Sequence, residues 1–154
     1  MSVELALSCI QRQIEALNAL PSVVATSPEY QAIVNLVIDV AGMPHSGRRV
    51  LMAGVGKNSN IASKVSQTMA SLGIPSMAIN VSHLGHGDYG FIGHNDVIIH
   101  ISRSGTTREM LEGIEHIALI RPNVVQVLIH CKNGKAPNPH CHFELYLPNV
   151  IEGD

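Results

Sequence analysis

From the amino terminus, apolar positions first repeat at helical spacing. Val3, Leu7, Ile10, Ile14 and Leu17 alternate steps of four and three, a narrow stripe close to a heptad seam. Such a stripe packs either on its own domain or against a second subunit. Ser27-Pro28-Glu29 then opens a second helix, with a capping hydroxyl, proline at the first helical position and an early acid. That helix carries Ile33, Val34, Val37 and Val40 to Gly42, and Pro44 stops it. Beyond it, β-branched runs alternate with helical segments. Strands are predicted over 49–53, 76–81, 97–102, 124–130 and 143–147, and helices over 58–72 and 107–120. This alternation predicts an α/β fold, a three-layer sandwich with helices on both faces of a parallel sheet. Ligands of such sheets collect at the carboxyl ends of the strands, near the switch in strand order.

Composition narrows the function classes. The 154 residues suit one domain, with N-terminal helices over 1–45 and a sheet core over 46–154. With 45% hydrophobic and 14% charged residues, the chain can bury a core and is not a disordered type. A net charge of −2, no basic run and only 3% aromatics argue against a nucleic-acid partner. Glu4, Arg12 and Glu15 interrupt the N-terminal apolar positions, unlike a signal peptide, and no stretch approaches a membrane span. Cys9, Cys131 and Cys141 form no Cys-x-x-Cys pair, as suits reduced thiols in a cytoplasmic protein.

Three motifs follow predicted strands. In Ser102-Arg103-Ser104-Gly105-Thr106-Thr107 an apolar strand empties into a hydroxyl-rich turn and then a helix. Helix N-termini carry unpartnered N–H groups and a positive dipole end, so this turn is an anion cradle suited to phosphate. Glu109, in the first helical turn beyond it, is placed either for dipole compensation or for proton transfer on a bound sugar. Gly54-Val55-Gly56-Lys57 lacks both the Walker span and the third glycine of a dinucleotide fingerprint. It reads as a tight turn admitting a ligand to the backbone, with Lys57 as a movable cation and Ser59 beside it. His83-Leu84-Gly85-His86-Gly87-Asp88-Tyr89-Gly90 reads as a flexible polar loop, in which His86 is a candidate acid or base.

The order Gly-x-Gly-Lys, His-Gly-Asp, Ser-x-Ser-Gly-x-Thr resembles the sugar isomerase (SIS) domain from about Ser27 to Glu152, and its middle loop the arabinose-5-phosphate isomerase branch. The resemblance implies a five-stranded parallel sheet of flavodoxin-like topology. It also implies dimers or tetramers with shared sites, and interconversion of ribulose 5-phosphate and arabinose 5-phosphate toward the lipopolysaccharide sugar Kdo. Carried over by position, Ser59, Ser102, Ser104, Gly105, Thr106 and Thr107 would hold the phosphate. Gly56, His83 and Asp88 would line the rest of the substrate site, and Lys57, His86, Glu109 and Glu152 would be catalytic. An enediol mechanism needs a base, a hydroxyl proton shuttle and a cation for the oxyanion, with no redox cofactor or metal.

The chain departs from the family pattern in places. Asn58-Ser59 stands where the isomerase branch often has Ser-Gly, His83 where it usually has glutamate, and Asn80 where it often has histidine. The sequence stops at Asp154, so the expected core lacks the family's C-terminal helix and its histidine. Segment 143–147 is then expected to present apolar surface or a sheet edge, covered by another subunit or marking a shortened chain. Three rival readings are a phosphosugar sensor without turnover, an isomerase of hexulose phosphates or sedoheptulose 7-phosphate, and a metal protein using His83/His86 or Cys131/His140/Cys141/His142.

Overall fold

A computed structural model describes residues 3–131, 134 and 136–148. Helices α1 (Val3–Thr26) and α2 (Pro28–Gly42) precede an alternating core of β1 (Val50–Gly54), α3 (Lys57–Ser71), β2 (Ser76–Asn80), β3 (Val97–Ile101), α4 (Arg108–Ile120), β4 (Val125–His130) and β5 (Phe143–Tyr146). The five strands form one sheet in the order β2-β1-β3-β4-β5, and every neighbouring pair is parallel. The predicted architecture is therefore observed, with the order reversing between β1 and β3.

Continuous apolar runs form these strands because both sheet faces are covered. All of β1 is buried, as are the first four residues of β3. On one face Leu51, Ile98 and Leu128 pack against Met110, Ile114 and Ile117 of α4. On the other, Met52, Ile99 and Val127 meet Ile33 and Val40 of α2 and Ala62 of α3. Each such side chain contributes about 1.5–3 kcal/mol on burial, which seats the helices firmly.

Ser27 caps α2 as the sequence indicates, its hydroxyl accepting from the Tyr30 N–H at 3.1 Å. At the amino edge of the sheet Asp96 is buried, accepts from the Gly93 and Arg49 amides and pairs with the Arg49 guanidinium at 2.7 Å. This carboxylate ties the start of β1 to the start of β3.

Helix α1 runs through Pro21 and buries none of its residues. The stripe residues Val3, Leu7, Ile10, Ile14 and Leu17 all stay exposed. A groove of about 590 Å³ opens between α2 and α3, lined by Ile33, Val37, Ile61, Met69, Ile101 and Leu147. Of segment 143–147 only Leu147 lines it. No helix among the described residues is long and apolar enough to cross a membrane.

Candidate functional site

Parallel register brings the three motifs to one edge. Gly54, the last residue of β1, pairs with Asn80 at the end of β2 and with Ile101 at the end of β3. The Gly56-Lys57 turn, the 81–91 segment and the Ser102–Thr107 turn therefore emerge side by side at the switch point. A crevice forms there because the connections leave in opposite directions, α3 onto one face and α4 onto the other.

The two glycines of the first turn do different work. A Cβ on Gly54 would stand 2.4 Å from the Asn58 carbonyl oxygen, so Gly54 allows α3 to pack directly on β1. Sequence reasoning assigned the turn to close approach of a ligand; at Gly54 the approaching backbone is the protein's own. Gly56 has φ +57, a left-handed geometry that favours glycine, and its Cβ position is open. Lys57 begins α3 and is exposed, while the Ser59 hydroxyl donates to the Gly56 carbonyl at 2.7 Å. Ser59 thus braces the turn.

The 81–91 segment is not the flexible loop expected from its glycines. It folds as two short 3₁₀ turns, Val81–His86 and Asp88–Phe91, joined at Gly87 with φ +114. The Asn80 side chain caps the first by accepting from the Ser82 N–H at 3.1 Å. Val81 and Leu84 are buried against α4, where Gly113 leaves 3.0 Å between its Cβ position and Val81. Tyr89 packs on His116 with ring centroids 4.4 Å apart and planes tilted by 44°. Two apolar anchors and a ring contact hold the segment, leaving His83 and His86 exposed and Asp88 half-buried. His83 lies 3.4 Å from the Asn80 amide nitrogen.

In the third turn the Ser102 hydroxyl accepts from the Gly105 N–H at 3.0 Å, and the Ser104 hydroxyl accepts from the Thr106 N–H at 3.1 Å. Ser102 is 2% exposed, so its side chain shapes the turn from beneath. Gly105, at φ +62, reverses the chain. Thr107 is the N-cap residue of α4 but makes no side-chain capping bond, so its hydroxyl remains available beside the first-turn amides. Thr106 is exposed, and Glu109 is exposed in the first turn of α4. Met110 and Gly113 of the same helix pack beside Val81 and Leu84, so Glu109 stands on the helix that carries the His86 segment. Glu152 lies outside the described residues.

Sequence reasoning missed the residues beneath this edge. His130 at the end of β4 bonds Glu144 of β5 at 3.1 Å, and His100 of β3 donates to Gln126 at 2.9 Å. Burial holds the wholly buried His100 down at about 4, against the smaller upward pull of that hydrogen bond. Both pairs join residues far apart in the chain, and a lone histidine in an apolar run announces no partner. Burial also pushes the Cys131 thiol up, outweighing the nearby Arg103 guanidinium. Among the described residues no three His, Cys, Asp or Glu side chains are grouped to share a metal ion.

A doubly wound parallel sheet whose three turns emerge together at the switch point defines the class of α/β domain to which the chain conforms. A sequence profile of the SIS domain matches residues 45–152. The chain belongs to the SIS domain family. It is 31% identical over 123 residues to arabinose 5-phosphate isomerase KpsF of Escherichia coli O6:H1, covering 80% of this chain and 36% of that protein. To arabinose 5-phosphate isomerase KdsD of Francisella tularensis it is 33% identical over 99 residues, covering 64% and 30%. The chain thus spans about a third of these relatives' length. Among solved structures, E. coli CFT073 c3406 in complex with arabinose 5-phosphate superposes with a TM-score of 0.73 at 26% identity, covering 100% of this chain and 79% of that one.

Proposed function

We propose that this chain is a phosphosugar aldose–ketose isomerase domain that interconverts D-ribulose 5-phosphate and D-arabinose 5-phosphate through an enediol. The observation that carries the reading is the convergence, at the β1/β3 switch point, of the Ser102–Thr107 anion turn with the segments bearing Lys57, His86 and Glu109. The similarity to arabinose 5-phosphate isomerases supports the choice of sugar.

In this reading the phosphate sits against the turn of Ser104, Gly105, Thr106 and Thr107 at the N-terminus of α4, with Ser102 and Ser59 bracing the turns. The Glu109 carboxylate takes the proton from C1 of the ketose. The C2 carbonyl becomes an enediolate oxygen, which the Lys57 ammonium stabilises. His86 moves a proton between O1 and O2, and Glu109 returns its proton to C2 to complete the aldose. Glu152 serves as a second carboxylate, and Gly56, His83 and Asp88 line the sugar. The reading assigns no cofactor, nucleic acid or membrane partner and places the work in the cytoplasm. Self-association belongs to it as well, since the α1 stripe is exposed in the isolated chain.

The test is turnover of ribulose 5-phosphate, with exchange of the C1 proton in deuterated water, in the wild type and Glu109→Gln. Loss of a positioned base lowers the rate by about 10²–10⁴-fold. Full activity in Glu109→Gln would remove Glu109 from the mechanism. Binding of arabinose 5-phosphate with neither turnover nor exchange would make the domain a sensor.

A further inference from the structure

We propose that His130, held by Glu144, is a positioning residue for the anion turn and thereby sets its affinity for phosphate. The inference deepens the phosphosugar reading and rests on it for the identity of the ligand.

The turn is laced to the end of β4 on both sides of His130. The Ser102 N–H donates to the Ile129 carbonyl at 3.0 Å, and the Cys131 N–H donates to the Arg103 carbonyl at 2.9 Å. Between these two bonds the imidazole lies directly against Gly105. A Cβ built on Gly105 would stand 3.1 Å from Cγ and 3.2 Å from Cβ of His130. Gly105 is also the residue at φ +62 whose N–H reaches back to Ser102 Oγ. The most conformationally free residue of the turn therefore rests on an aromatic ring.

That ring is itself held. His130 is 5% exposed, and its Nε2–H donates to Glu144 Oε2 at 3.1 Å. The other Glu144 oxygen accepts from the Asn138 N–H, tying the chain before β5 to the same pair. Tyr146 presents an edge to the imidazole, with centroids 6.3 Å apart and planes at 67°. A charge-assisted bond in a largely buried setting fixes ring orientation more strongly than packing alone. The consequence reaches the ligand because turn amides bind a tetrahedral anion only when they converge on it. Without the ring beneath it, Gly105 would sample other conformations, and binding would have to reorder it.

Three variants test this. In His130→Ala, hydrogen exchange at the Gly105 amide, followed by NMR without ligand, should rise about tenfold. The dissociation constants for inorganic phosphate and arabinose 5-phosphate should weaken by about the same factor, with KM rising and kcat changing less than about threefold. His130→Gln, which can still bond Glu144, should recover most of both effects, and Glu144→Gln should fall between. Unchanged Gly105 exchange and phosphate affinity in His130→Ala would overturn the proposal. So would a Gln variant that regains wild-type unfolding stability but not affinity, or a wild type that binds neither anion. Absence of turnover in the wild type would count against the isomerase reading alone, because Gly105 exchange and phosphate affinity decide this one.

Discussion

Gly54→Ala strikes where β1 hands over to α3. The added Cβ would stand 2.4 Å from the Asn58 carbonyl oxygen, 2.5 Å from its carbon and 2.7 Å from the Ser59 nitrogen. Non-bonded carbon contacts settle near 3.5 Å, so the first turn of α3 must retreat by about 1 Å. Every clashing atom is backbone, so no rotamer change relieves it. Overpacking of this kind costs about 1–3 kcal/mol. The retreat also carries Lys57 away from the Ser102–Thr107 turn, and a misplacement of about 1 Å can lower turnover by about 10²-fold. Gly42→Ala is the control: its Cβ position has nothing within 4 Å, and its φ lies outside the left-handed region. It should be neutral or stabilising by up to about 1 kcal/mol. Urea unfolding gives the stability difference, and kcat/KM for ribulose 5-phosphate gives the consequence at the site. A Gly54→Ala protein with the wild-type unfolding midpoint would refute the direct packing of α3 on β1.

Other outcomes follow from the same geometry. Asp96→Ala takes the carboxylate from two amides and from the half-buried Arg49 guanidinium, which keeps the Phe91 carbonyl, and should lower unfolding free energy by about 2–3 kcal/mol in denaturant titration. His100 has its proton affinity lowered on folding, from 6.5 to about 4, so the unfolded chain binds more protons between those values. Stability should therefore be full above about pH 6.5 and fall by up to about 3 kcal/mol as pH drops toward 4. His100→Leu should flatten that slope in acid titrations, though Gln126 then loses a partner and neutral-pH stability falls too. Under the proposed self-association, Leu7→Glu with Ile14→Glu should reduce the mass measured by light scattering to that of one chain and remove the dependence of the unfolding midpoint on protein concentration. A wild type already at that mass would remove self-association through α1.

Much of the fold was legible because parallel strands buried on both faces need long apolar runs, and such runs stand out between helical segments. The strand at Val97–Ile101 and the cap at Ser27 are local signals, and the structure agrees with both. The 81–91 segment misled because its glycines and histidines are also local signals, whereas the burial of Val81 and Leu84 against Gly113 is not. Ser102 reads as a ligand group from its place in a hydroxyl-rich turn before a helix and from the family resemblance. Its 2% exposure depends on the neighbouring strand, so the bracing role of its hydroxyl could be seen only after folding.

The sequence by itself determined the element order, the parallel α/β class and the residue types that can hold a phosphate and move a proton. Each of these rests on periodicity or on groups within a few positions of one another. Tertiary structure decided strand order, and with it that Gly54 faces both Asn80 and Ile101, placing three distant motifs on one edge. It also decided that His130 and Glu144, 14 positions apart, meet beneath Gly105. Such pairings follow from how strands and helices stack across the whole core, where the burial of each side chain depends on the placement of all the others.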